Sequence, residues 1–257
     1  DMSHPSLFGM TMSVAPDIDP AQRLHDVSLG MPITADMSRS DLLLLRPVSA
    51  QQVKVVAQAR PRSISSLYTE NLVDRVLSSR ETPLVLDALR RRRALQAQVE
   101  LVSGAPVVQD VRPVLDAAGR VLGLLSIETS LIQLERHRHR HASFRRAIEW
   151  LKQMCVQGDL ASADGLSPFQ EMDGVVLVDS QLRIIYLSGI ANNLYRRLGY
   201  VEDLRGRPLN YLHTGDDVLA ITAMQTRRPV ETESRLGEHE WIRKAIVRGW
   251  KDKRNRK

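Results

Sequence analysis

The stretch VRPVLDAAGRVLGLLSIETSL (Val111–Leu131) decides the fold. Together with the residues before it, VVQDVRPVLD (107–116) alternates apolar and polar side chains and reads as a strand. AAGR turns the chain, and VLGLLSIET (Val121–Thr129) is an apolar strand that closes a sheet. Upstream, DLLLLRPV (Asp41–Val48) and VKVVAQARP (Val53–Pro61) are apolar and partly β-branched, as adjacent strands are. TENLVDRVLSSRE (69–81) opens on a capping Thr69 and puts Leu72, Val73, Val76 and Leu77 on one helical face, which predicts a helix. TPLVLDALRRRR (82–93) predicts a second, short helix, and LQAQVELV (95–102) another strand. Ahead of these, residues 1–20 carry Pro5, Pro16 and Pro20 and read as a loose lead, with a short helix over 21–28.

Downstream, LIQLERHRHRHASFRRAIEWLKQMCVQ (131–157) holds neither Pro nor Gly, so one long helix is expected, ended by Gly158. A heptad register on Leu134 puts His141, Ile148 and Cys155 at a, and His137, Phe144 and Leu151 at d. Phe144, Ile148 and Leu151 are therefore the expected dimer seam. Residues 158–168 are a loop. GVVLVDSQLRIIYLSG (174–189) makes two strands about a tight turn, IANNLYRRLG (190–199) and DDVLAITAMQTRR (216–228) are helices, and VETESRL (230–236) pairs with EWIRKAIV (240–247). The expected class is α+β: two antiparallel-sheet sensory domains, over 21–130 and 169–250, joined by the helix 131–157 and followed by a basic tail, 251–257.

The 257 residues are 43% apolar and 26% charged, ordinary for globular chains with room for a core in each half. The net charge of +6 is concentrated in Arg90–Arg93, Arg136–Arg146 and Lys251–Lys257. Solvated helix faces explain those runs better than nucleic acid does, and an aromatic content of 4% argues against base stacking. The one cysteine, Cys155, permits no internal disulfide and suits a reducing cytoplasm. Nothing resembles a signal peptide, and Leu42–Leu45 is far shorter than the about 20 apolar residues that span a bilayer, so no membrane role is expected.

Several short motifs carry a family resemblance. Asp173–Gly174, Tyr186, Ser188, Ala191, Tyr195 with RRLG, and Gly206 in LRGRPL resemble the PAS module of soluble sensor histidine kinases of the HisKA-2 and HWE-like transmitter class. RSDLLLLRP, VVAQARP, and Pro113, Gly119, Gly123 and Glu128 of the closing hairpin resemble the N-terminal GAF-like domain of the same kinases. Gly189–Ile190 departs from that pattern, where a Pro–Asn pair is usual, and the course of the last PAS strand through VRGW is left open. The resemblance implies a sensory input module of a two-component system. It would act as a homodimer, passing a signal through the connector helix to an ATP-dependent kinase region and so to a response regulator. A GAF–PAS input module of a transcription or phosphatase regulator is the alternative.

No catalytic constellation is legible, and no cofactor is required by the sequence. Fold analogy puts a PAS pocket at Tyr186, Leu194, Tyr195, Leu198, Leu212, Met224 and Trp241, a set that equally describes a filled core. It puts a GAF pocket at Arg60, Arg62 and Tyr68, where an anionic or nucleotide-like small molecule would sit. No metal is assigned. His137 and His141 have the i, i+4 spacing of a helical zinc pair, but surrounding arginines oppose a cation there. Cys155 is expected to be buried and inert.

Overall fold

The computed structural model describes residues 19–101 and 104–248, so residues 1–18 of the expected 1–20 lead and the basic tail lie outside the described residues, while Asp19 and Pro20 already begin a helix. Six antiparallel strands form the first sheet: β1 (Asp41–Ser49), β2 (Gln52–Ala59), β3 (Val76–Ser78), β4 (Leu95–Glu100), β5 (Pro106–Leu115) and β6 (Val121–Ser130). Their spatial order is β3-β2-β1-β6-β5-β4. The two most apolar strands, β1 and β6, lie side by side at the centre, with Leu42 opposite Ile127 and Leu45 opposite Leu124. Strand alternation sends Leu42, Leu44, Leu125 and Ile127 to one face and Leu43, Leu45 and Leu124 to the other, and both faces are buried.

The first face is covered by α1 (Pro20–Ser38), which buries Val27, Met31 and Ala35. Asp19 caps α1 by accepting the Ala21 N–H, and Pro20 sits in the first turn, where its missing donor costs nothing. The helix runs ten residues past the expected Ser28, through Pro32. Its polar residues had masked it: Thr34 and Ser38 turn their hydroxyls onto the helix's own carbonyls of Gly30 and Thr34, at 2.8 and 2.6 Å, and so can be buried. Gly30 is required by close approach, since a Cβ there would stand 2.7 Å from that of Leu160.

The second face is covered by α2 (Pro83–Arg91) and by the segment between β2 and β3. The helix predicted over 69–81 is absent. Asp74 is left-handed at φ 73°, and the chain runs antiparallel to β2, with Lys54 opposite Val76 and Val53 opposite Leu77. Ladder bonds offered by the open edge of β2 outweigh a local helical pattern, a tertiary override of propensity.

The expected 131–157 helix is two helices, α3 (Leu131–Arg138) and α4 (Ala142–Val156). His141 ends the continuity by capping α4, its Nδ1 accepting the Ser143 N–H at 3.2 Å. The bend folds α4 back on α1, where Leu151, Met154 and Cys155 join the core of the first face. Arg112 of β5 ties α4 to the sheet, bonding Asp110 at 2.6 Å and Glu149 at 2.8 Å, with the Lys152 ammonium 3.6 Å from Asp110.

The C-terminal part holds β7 (Val176–Val178), β8 (Ile184–Leu187), α5 (Gly189–Arg197), α6 (Asp216–Thr226), β9 (Val230–Leu236) and β10 (His239–Ala245). Among the described residues β7–β8 and β9–β10 are separate two-stranded sheets. The core between them is Ile184, Tyr195, Leu204, Leu209 and Leu212. Val175 and Tyr186 at the first hairpin pack on Phe144 and Ile148 of α4.

The expected dimer seam is thus covered within the chain: Phe144, Ile148 and Leu151 are 5, 2 and 6% exposed. Between two layers of its own chain, the stripe has no free face for a second helix. Ile148→Ala should therefore cost about 2–5 kcal/mol in urea unfolding and leave the sedimentation coefficient of the folded protein unchanged. A change of oligomeric state at unaltered stability would return the stripe to a subunit interface.

Candidate ligand site

The first sheet carries a buried polar cluster at one end of its α2-side face. Asp41 on β1 and Glu128 on β6 are cross-strand partners, and Gln109 on β5 is opposite Glu128. Alternation turns all three, with Ser126, to the face that Leu43 and Leu45 occupy farther along. Asp41 and Glu128 are 1 and 2% exposed. An ionised carboxylate so deep in the protein needs donors, and the segment after β2 supplies them. Ser66 Oγ and the Leu67 N–H (2.9 Å) donate to Asp41. The Tyr68 hydroxyl donates to Glu128, which also accepts from Ser126 Oγ at 2.9 Å and Gln109 Nε2 at 3.0 Å.

Burial raises the carboxyl pKa of both acids, and in Glu128 the Asp41 charge adds to it. The Tyr68 hydroxyl is raised as well, first by burial and then by the Glu128 charge. The bonds that Ser66, Leu67 and Tyr68 donate to the two acids hold the β2–β3 segment over the sheet.

The three expected GAF-pocket residues do not converge. Tyr68 is in this cluster, and Arg60 is near enough for its charge to oppose the rise at Asp41. Arg62 instead faces α1, its backbone N–H bonding buried Asp36 at 2.9 Å and its Nε 3.7 Å from the same carboxylate. Asp41, Glu128, Gln109 and Ser126 were missed as site residues. Their signal was present: acids at inward positions of otherwise apolar strands in DLLLL and LLSIET.

Of the expected PAS-pocket residues, Tyr195, Leu198, Leu212 and Trp241 do meet, around Ile184. Tyr195 Oη donates to Asp216 at 2.8 Å, and Arg243 Nη1 bonds the other oxygen of that carboxylate at 2.8 Å. Tyr186 lies elsewhere, its ring stacked on His141 at 5.1 Å between centroids. Leu194 is half-buried outside that core, and Met224 is 40% exposed beside Leu182 and Ile221. His137 and His141 do not share a helix, because the break falls between them: His137 packs against Phe144, while His141 caps α4. Cys155 is fully buried, its Sγ 3.7 Å from the Val27 carbonyl, and burial pushes its thiol up to about 12.

Residues 16–148 match the sequence family described as "Histidine kinase PdtaS, GAF domain". A solved structure described as the sensor region of a sensor histidine kinase superposes with a TM-score of 0.60 at 20% identity, covering 85% of this chain and 82% of that one, which is a likeness of fold. The second GAF domain of DevS from Mycobacterium smegmatis matches 56% of this chain and 96% of its own at 18% identity, with a TM-score of 0.35. An IclR transcriptional regulator from Alicyclobacillus acidocaldarius covers 58% of this chain and 68% of its own at 12% identity and a TM-score of 0.36; the last two are too distant to constrain the fold. No curated protein shows significant similarity to the chain.

Two outcomes follow from the site. Glu128 has a folded pKa above its ordinary 4.5. Between 4.5 and the raised value the folded protein binds more protons than the unfolded chain, so this group's contribution to stability falls as pH rises through that window. Glu128→Gln should therefore lose less stability than the wild type between pH 4.5 and neutrality, as read by chemical unfolding; parallel curves would show that Glu128 ionises without cost. Cys155, the single thiol, should resist a maleimide or disulfide reagent in the native protein and react fully in urea. Rapid native labelling would contradict its burial.

Proposed function

We propose a function from one premise: the chain belongs to the GAF-domain family of the histidine kinase PdtaS. As the GAF sensor domain of a histidine kinase, its first sheet is a signal-sensing input module. No described helix is long and apolar enough to cross a membrane. The reading extends this to a cytoplasmic GAF–PAS input module, in which β7–β10 with α5 and α6 are a PAS-like domain. The order strand, strand, helix, helix, strand, strand around one small core supports that assignment. The module would bind a small molecule and bias a kinase region of the parent protein, which would work as a homodimer and phosphorylate a response regulator. The seam of that dimer has to lie away from Phe144, Ile148 and Leu151.

The observation that carries the reading is the position of α4. One side, through Leu151 and Cys155, belongs to the core of the first sheet; the other, through Phe144 and Ile148, belongs to the contact with the β7–β8 hairpin. A rearrangement on either side must move the same helix, which is the physical requirement for coupling two sensory units. In the full-length protein Ile148→Val should change the basal rate of labelling by radioactive ATP by about twofold or more, the effect of a buried methylene worth about 0.5–1.5 kcal/mol. Val218→Ala, at an exposed position of α6, should leave the rate unchanged. Equal rates in all three proteins would remove α4 from signal transfer. A full-length protein that does not label with ATP would overturn the kinase assignment.

A further inference from the structure

A cleft of about 50 Å³ opens where the C-terminal end of α1, the α3–α4 break and the chain before β7 come together. Arg39, Arg136 and Arg140 line it with Gln133 and Phe144, and so do two carboxylates, Glu171 and Asp173, the latter 3.8 Å from the Lys244 ammonium. The three guanidinium groups come from three places: the residue that caps α1, the last turn of α3 and the break itself. Among the described residues none of the three has a carboxylate within ion-pairing distance, whereas neighbouring Arg138 is paired with Glu135 at 3.3 Å. Arg140 lies over the Phe144 ring at 4.9 Å, which holds its head group at the cleft without neutralising it. Arg39 feels both other arginines: burial first, then Arg140 and Arg136, push its pKa down against the opposing charge of Glu171. Gln133 adds an orphan, because its Oε1 is buried with no hydrogen-bond partner.

Three arginines against two carboxylates, one of which is already paired with Lys244, leave the cleft net positive, and a buried amide oxygen without a donor costs about 1–3 kcal/mol. A bound anion relieves both. Guanidinium forks match carboxylate and phosphate oxygens, and a half-turn of the Gln133 amide presents its N–H₂ group to the same oxygens. The volume is close to that of one or two waters in the liquid, so it suits a single oxyanion group rather than a nucleotide. We propose that this cleft binds a small oxyanion, a phosphate or carboxylate group, held by Arg39, Arg136 and Arg140. Its occupancy would clamp the α3–α4 break to the end of α1 and so stiffen the helix that both halves of the chain share. The site does not depend on the chain serving a kinase.

Isothermal titration and thermal unfolding of the whole chain test it, in chloride buffer at constant ionic strength with inorganic phosphate and malonate as the two probes. Saturable binding with one site per chain and a raised Tm are expected with at least one probe, and which one acts separates a phosphate site from a carboxylate site. Arg136→Gln, at an exposed position where the fold is not at stake, should weaken binding about tenfold or more, the effect of losing one charge-assisted hydrogen bond. Arg39→Gln should do the same, and Arg90→Gln, on the exposed side of α2, should leave the affinity unchanged. Absence of saturable binding by both probes overturns the proposal. So does an Arg90→Gln protein weakened as much as Arg136→Gln, since the effect would then belong to the basic surface as a whole.

Discussion

The rest of the structure depends on the two-sided burial of the β1–β6 pair. Leu42, Leu43, Leu44 and Leu45 are each 0–2% exposed, and Leu124, Leu125 and Ile127 are fully buried beside them. A fully buried leucine contributes about 1.5–3 kcal/mol, so uncovering either face would remove several such contributions at once. A sheet wet on one side would have tolerated polar residues at every second position of these strands. Because there are almost none, both faces need a layer. One is built from α1 and the returning α4, the other from α2 and the segment between β2 and β3. The apolar density of two strands thus dictates a three-layer arrangement.

The exceptions in those strands are the informative residues. Asp41 and Glu128 enter at the end of the buried pair, where burial works against their charge. They are accommodated by drawing in Ser66, Leu67 and Tyr68, so the cost of two buried acids is offset by ordering a segment that has no regular structure of its own. The segment is held by these polar bonds together with apolar packing, since its Leu72 is buried in the cluster of Leu43 and Leu45.

The helix break at His139–His141 has a comparable logic. A straight helix over 131–157 would extend about 40 Å, at 1.5 Å per residue, and would carry Leu151 and Cys155 away from the sheet. Bending returns them to the first core and aims Phe144 and Ile148 at the β7–β8 hairpin. It also gathers arginines from α3, the break and the end of α1 around one cleft, a concentration of charge that neighbours in sequence alone would not produce.

Much of the architecture was legible in the chain. Apolar alternation and turn chemistry marked β1, β2, β4, β5, β6 and both C-terminal hairpins, because strand periodicity is imposed by the strand itself. The Asp41 and Glu128 acids were visible too, but their roles were not: that they face each other is a matter of register between strands distant in sequence. Residues 69–81 satisfied a helical pattern, yet Val76–Ser78 within them became an edge strand, since the free ladder of β2 is a partner that no local window contains. The stripe of Phe144, Ile148 and Leu151 was read as needing a partner from a second subunit, and in the structure it packs against the same chain. Periodicity determines which face of an element must leave water, and only the tertiary structure decides what covers it, because hydrophobic burial is non-directional and any apolar surface of fitting shape will serve.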